Sequence, residues 1–246
     1  MGTALAGRWL DFKDSILIVE ASSLRRASLQ DDGFTTLTSL SELTLTPSVI
    51  LLAIKPQSFP EIKSALAQVA SGALVVSIMA GVPLSTFSFS KRVARVMPNT
   101  PATLGLGMSV CCGPALSDED KRIVNDLFAA CGEVSWIEDE NTLHAITAIS
   151  GSGPAYVFAF MEALEHAALN LGIDKVTAHT IVKQTVLGAV AMTNVPFADF
   201  ALLREQVTSK GGTTEAALAV LHSALPELLK ATAVAALERS KALAGQ

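Results

Sequence analysis

The stretch VILLAIKPQSFPEIKSALAQVASGALVVSI, residues 49–78, decides the fold. It opens on Val49 to Ile54, an apolar run of strand length, and closes on a second such run, Leu74 to Ile78. Between them Pro60 to Ala70 reads as a helix, with Pro at the first turn, where no backbone N–H is needed, and Ser71-Gly72 as its stop. Strand, helix and strand within roughly 30 residues make the crossover unit of a parallel sheet.

The alternation continues outward from this unit. Ser15 to Val19, Val93 to Met97, Met108 to Cys112 and Val134 to Ile137 read as further strands. Ser117, followed by Asp118, Glu119 and Asp120, opens another helix that Cys131-Gly132 ends, because a hydroxyl cap and early acids satisfy free amides and oppose the helix dipole. The expected fold class is α/β, a dinucleotide-binding (Rossmann-like) sheet over residues 1–139. After about Asp139 the β-branched runs stop, and Ala and Leu recur at helical spacing. Residues 140–246 are expected to form an all-α dimerisation domain. Thr177 to Thr193 has only His179, Lys183 and Gln184 as strongly polar residues, and a helix apolar nearly all round requires burial on most sides. A second subunit is the expected cover, giving a symmetric homo-oligomer.

Sheets of this class begin with a strand that runs into G-x-G-x-x-G, whose glycines let the backbone approach a pyrophosphate. This sequence opens on Met1-Gly2-Thr3-Ala4-Leu5-Ala6-Gly7, the helical pattern that follows such a loop. With Gly2 as the last loop glycine, the expectation is a sheet lacking its first strand. The next strand ends at Val19-Glu20-Ala21-Ser22-Ser23, followed by Arg25 and Arg26. Glu20 suits a ribose 2′-hydroxyl and hence NAD, whereas Ser22, Ser23 and an arginine suit a 2′-phosphate and hence NADP. NADP is the favoured expectation, with NAD as the alternative.

Composition narrows the chemistry. Of the 246 residues, 17% are charged and the net charge is −5, with no basic stripe to meet a phosphate backbone, so nucleic acid is not an expected partner. No unbroken apolar run approaches the roughly 18 residues of a membrane span, and no leader pattern opens the sequence, so a membrane is not an expected partner and a cytoplasmic location is expected. Cys111, Cys112 and Cys131 form neither an even disulfide set nor a metal pattern and read as small buried hydrophobes. There is no G-x-S-x-G elbow and no phosphate-loop lysine motif, and Tyr156 has Phe160, not Lys, four residues on. His144, His166, His179 and His222 lie far apart and read as exposed helix residues, so no metal is expected.

Four polar turns remain. Lys55-Pro56 and Met97-Pro98-Asn99-Thr100-Pro101 follow strands, where ligands of open α/β sheets lie. Ser150-Gly151-Ser152-Gly153-Pro154 interrupts a helix. Ser209-Lys210-Gly211-Gly212-Thr213-Thr214-Glu215 opens one, and its glycines and hydroxyls present amides and oxygens to an anion, as a carboxylate cradle would.

On these residues the sequence resembles the pyrroline-5-carboxylate reductases. The specific parts are Ala-Ile-Lys-Pro at 53–56, Met-Pro-Asn-Thr-Pro at 97–101, Thr147 with Ser-Gly-Ser-Gly-Pro-Ala-Tyr at 150–156, and Val207 to Thr214, four motifs in order across nearly the whole chain. The resemblance implies hydride transfer from NADPH or NADH to the C=N bond of 1-pyrroline-5-carboxylate, giving L-proline, in dimers that often assemble as pentamers of dimers. It implies that Gly2, Ser22, Ser23, Ala53, Lys55, Pro56, Ile78, Ala80 and Asn99 bind the cofactor, with Ser22 on the 2′-phosphate and the backbone of Ile78 and Ala80 on the carboxamide. It implies that Thr147, Val207, Ser209, Gly211, Gly212 and Thr213 bind the substrate, and that Thr214 is the catalytic residue, hydrogen-bonding the ring nitrogen. The chain departs from the family at Lys210, where Pro is usual, and at Asp199-Phe200, in place of a His-Pro turn.

Two other readings stand beside this one. The incomplete glycine loop suits a catalytically impaired relative acting as a helical dimerisation module. A hydroxyacid dehydrogenase of similar architecture needs a catalytic acid or base near a carbonyl, and the helical half offers no well-placed candidate.

Overall fold

The computed structural model describes residues 1–195 and 198–244. It divides into two compact units, Met1–Ser152 with Ala235–Gln246, and Gly153–Val234.

The first unit holds α1 (Gly2–Ala6), β1 (Leu17–Val19), α2 (Ser23–Asp31), β2 (Thr35–Leu37), β3 (Val49–Leu52), α3 (Phe59–Val69), β4 (Leu74–Ser77), β5 (Val93–Met97), β6 (Gly107–Cys112), α4 (Asp118–Ala129), β7 (Gly132–Ile137) and α5 (Thr142–Ile146). The unit decoded from residues 49–78 is present: β3 and β4 pair in parallel, Val49 opposite Leu74, and β5 extends the sheet in parallel, Val93 opposite Val75. Side chains alternate across β4, so Leu74 and Val76 join Leu5, Trp9, Val96, Val124 and Phe128 on one face while Val75 joins Leu52, Phe59, Leu66 and Phe87 on the other. Both faces of β4 are therefore buried, as its unbroken apolar sequence requires. Cys111, Cys112 and Cys131 are free and buried, and burial pushes the Cys111 thiol up to about 12.

Three details depart from the sequence pattern. The strand β2, too short to register as a β-branched run, pairs in parallel with β1. The β5–β6 pair is antiparallel, Val96 opposite Cys111. Its connection is a single 3-10 turn, Thr100–Leu104, closed by Gly105 at φ +72°, too short for the crossover that a parallel pair needs. Finally, the sheet is split into a β1–β2 pair and a β3–β4–β5–β6–β7 sheet. Ile16, just ahead of β1, packs against both the α1–β4 core and the Leu29–Phe34 cluster and joins the two parts by apolar contact.

The caps form as read. Ser117 Oγ accepts from the Asp120 amide to start α4. Asp120 itself is buried beneath the side chain of Arg92, whose Nε lies 3.0 Å from Oδ1. Hydrogen bonds from Arg92, and then from Ser117, hold the Asp120 carboxyl below its ordinary 3.8. A depressed carboxyl pKa stabilises the fold above the unfolded value and ceases to do so as pH falls through the folded one. Asp120→Asn is expected to cost about 2 kcal/mol at pH 7, less than a fully buried pair because Arg92 remains 41% exposed. The gap from wild type should close below about pH 4 in urea unfolding. Equal stabilities at pH 7 would show that the pair contributes nothing.

The second unit holds α6 (Gly153–Asn170), α7 (Lys175–Ala191), α8 (Phe200–Gln206) and most of α9 (Thr213–Ala244), whose last turns belong to the first unit. Asp174 caps α7 through the Val176 and Thr177 amides, and Asp199, the departure from the family turn, caps α8 through Ala201 and Leu202. Of α7, only Ala178 and Val182 are buried within the single chain, although the helix is apolar nearly all round. Phe158, Leu187, Val190, Val220 and Leu228 are likewise exposed. The α9 helix is also long and apolar enough to cross a membrane by length and composition. The sequence reading missed this because scattered Glu and Lys break every unbroken run without lowering the average enough.

His166, His179 and His222 are exposed as expected, but His144 is not. It is half-buried on α5 with Nδ1 3.0 Å from Ser240 Oγ of α9, and burial, then Arg95 and Lys241, lower its pKa.

Candidate active site

Strands β3, β4 and β5 are parallel, so the residues that follow them, Ala53–Pro56, Ile78–Ala80 and Pro98–Thr100, share one edge of the sheet. Ligands of open α/β sheets lie at this edge. Ala53, Lys55 and Ala80 are exposed there, while Pro56 and Ile78 are half-buried. Gly2 starts α1 so close to the end of β3 that a Cβ at Gly2 would stand 3.0 Å from Ala53 Cβ. The last glycine of a dinucleotide-binding loop allows a helix and a strand to pack this closely.

The turn after β1 is preorganised by its own charges. Ser22 Oγ accepts from the Arg25 amide and caps α2, while the Ser22 amide donates to Glu20 Oε1 at 2.8 Å. Arg26 Nη1 donates to the carbonyls of Glu20 and Ala21, and Arg25 Nη1 lies 3.8 Å from Glu20 Oε2. Ser23 is exposed beside them. The acid and the hydroxyl that the sequence sets against each other are thus neighbours, with Glu20 bound to the amide of Ser22.

Asn99 is an anchor within the protein. Its Nδ2 donates to Ser150 O at 3.2 Å, and its Oδ1 accepts from the Met108 amide at 2.9 Å. Through Ser150 it grips a π-helical turn, Thr147–Gly151, which takes in the first two residues of the Ser-Gly-Ser-Gly motif. Thr147 Oγ1 donates to Leu143 O at 2.7 Å, so its hydroxyl hydrogen is already engaged on the backbone. Such turns insert one extra residue per turn and are frequent at functional sites.

In the second unit, the segment from Val207 to Glu215 joins α8 to α9. Gly211 sits at φ +71°, a conformation that favours glycine, and a Cβ at Gly212 would force Ser209 Oγ to turn away. Val207, Ser209, Gly211 and Thr213 are exposed, and Thr214 is half-buried in the first turn of α9. The Gly211 amide donates to Glu215 Oε2 at 2.6 Å, so this chain's own carboxylate lies on the anion cradle. In the sequence, Glu215 stands only as part of a helix start. Its spacing, four residues after Gly211, is the signal that a back-bonding N-terminal acid was available.

The comparisons with known proteins agree with this layout. Residues 140–243 match the family described as pyrroline-5-carboxylate reductase dimerisation, and residues 1–81 match NADP oxidoreductase coenzyme F420-dependent. The chain is 39% identical to a pyrroline-5-carboxylate reductase of Pasteurella multocida over 240 residues, covering 93% of this chain and 87% of that protein. A Coxiella burnetii pyrroline-5-carboxylate reductase structure superposes with a TM-score of 0.90 at 32% identity, over 98% of this chain and 94% of that one. The Plasmodium falciparum pyrroline carboxylate reductase with NADP bound superposes with a TM-score of 0.85 at 29% identity, over 99% and 94%. With its second half matching the dimerisation family and nearly its whole length matching these reductases, the chain belongs to the pyrroline-5-carboxylate reductase family.

Proposed function

We propose that this protein reduces the C=N bond of 1-pyrroline-5-carboxylate to give L-proline, using NADPH, as a cytoplasmic homodimer able to assemble as a pentamer of dimers. The likeness to the Pasteurella multocida enzyme over 93% of the chain carries the reading. In this reading residues 1–139 bind the cofactor, and residues 140–246 form the dimer and hold the substrate.

NADPH supplies the hydride when bound. Ser22 and Ser23, with Arg25, receive its 2′-phosphate; Ala53, Lys55 and Pro56 border the nicotinamide ribose; the backbone of Ile78 and Ala80 meets the carboxamide; and Gly2 allows the close approach of α1 to the strand edge. Asn99 contributes by holding the turn of Thr147. On the substrate side, Ser209, Gly211, Gly212 and Thr213, bordered by Val207, hold the carboxylate in place of Glu215. The Thr214 hydroxyl bonds the ring nitrogen. A protonated imine already carries its electrophilicity, so the protein's main task is alignment, and the nitrogen finishes as a neutral or protonated amine without a dedicated acid. Loss of NADPH absorbance with stoichiometric appearance of proline tests the activity. NADPH binding without turnover would reject the substrate assignment.

Glu20 bears on the choice of cofactor. Its carboxylate lies on the Ser22 amide, where a doubly charged 2′-phosphate would be repelled. Glu20→Gln is expected to tighten NADPH about tenfold and to leave NADH no tighter. Fluorescence titration of both cofactors measures it, and equal shifts for the two would remove Glu20 from the discrimination.

A further inference from the structure

Arg95 stands in the middle of β5 with its side chain only 5% exposed. Its Nη1 donates to Glu140 Oε1 at 2.6 Å, just ahead of α5. The same oxygen accepts from the backbone amide of Leu84 at 2.7 Å. Leu84 opens the 3-10 turn Leu84–Phe87 and ends the loop that leaves β4 through Ile78, Met79 and Ala80. The near end of that loop is tied by the Met79 amide on Ser77 Oγ. Its middle passes through Gly81 at φ +77°, where a Cβ would stand 3.2 Å from the backbone of Ala244. The loop is thus held at both ends and covered in its centre.

Stability does not account for the ion pair. Apolar side chains of similar volume usually serve a core as well as a buried charge pair or better. What an apolar pair cannot supply is an acceptor aimed at a backbone amide 56 residues away in sequence. Arg95 orients that acceptor through its own hydrogen bond to the same oxygen.

We propose that Glu140, oriented by Arg95, is a positioning residue for the nicotinamide end of the cofactor site. By fixing Leu84 it sets the path of residues 78–84, and so the direction in which the backbone of Ile78 and Ala80 faces the carboxamide. The inference rests on the assignment of those two residues made above.

The test separates the two halves of the cofactor. Wild type, R95M/E140L, R95M/E140Q and E140D are titrated with NADPH and with adenosine 2′,5′-bisphosphate, which lacks the nicotinamide, and their thermal midpoints are recorded. R95M/E140L removes charge and acceptor together and should bind the bisphosphate as wild type does but NADPH about tenfold more weakly. R95M/E140Q restores a neutral acceptor and should recover most of the NADPH affinity. E140D keeps the charge but shortens the reach, and should show the same selective loss even if the double variants fail to fold. Unchanged NADPH affinity, or equal losses for NADPH and the bisphosphate, would overturn the proposal. Wild type that binds NADPH without reducing pyrroline-5-carboxylate would reject the substrate reading and leave this test intact. Wild type that binds neither ligand would reject the cofactor site and the proposal with it.

Discussion

Leu187→Asp should leave no soluble, folded dimer. Leu187 lies on α7 and is 58% exposed within one chain, so in an isolated subunit an aspartate there would remain hydrated and cost little. The helix around it is apolar nearly all round, and Ile181 and Val190 are exposed with it. A surface of this extent on a folded chain marks a partner surface. In a dimer the aspartate would be buried without a counter-charge, at a cost of several kcal/mol, enough to abolish association. Sedimentation velocity with circular dichroism reads both assembly and fold. Wild type that sediments as a well-folded monomer, or a variant that dimerises as wild type does, would refute the buried-helix interface.

Thr214→Ala should lower kcat/KM for pyrroline-5-carboxylate tenfold or more while leaving NADPH affinity nearly unchanged. Thr214 stands half-buried in the first turn of α9, two residues after the Gly211-Gly212 pair. Loss of one well-placed hydrogen bond to a group whose charge changes during reaction is worth roughly 1.5–3 kcal/mol, and each 1.4 kcal/mol is about tenfold in rate. With the hydroxyl on the ring nitrogen and not on the carboxylate, as proposed, much of the loss should fall on kcat. Thr214→Ser keeps the hydroxyl and should recover most of the activity. Unchanged kinetics in the alanine variant would remove Thr214 from the site.

Much of the fold was legible in local patterns. The apolar runs of β3, β4 and β5, and the hydroxyl cap with three acids of α4, each state their structure within a few residues. Much of the candidate site was legible for the same reason. Gly211, at positive φ, and the polar turns after strands are local features of the backbone. The strand β2 was not legible, because three residues carry too little periodicity to separate a strand from a loop.

Other features are set by contacts between distant segments. Arg95 passes unremarked within the sequence of a strand, and only the sheet brings Glu140 and the Leu84 amide to it. The half-buried state of His144 depends on Ser240, 96 residues later. Glu20 and Ser22 read as alternatives in the sequence, whereas the turn joins them through one hydrogen bond. By itself, then, the sequence determined the strand–helix alternation of residues 49–78, the caps, the helical second half and the glycine-shaped loops. Those follow from backbone sterics and from periodicities of two and 3.6 residues, which act over a single element. Only the tertiary structure decided the antiparallel β5–β6 pair, the break in the sheet and the partners of Arg95 and Glu140. Strand direction and buried polar pairing are settled when remote segments compete for the same hydrogen bonds, a competition that no local window of sequence contains.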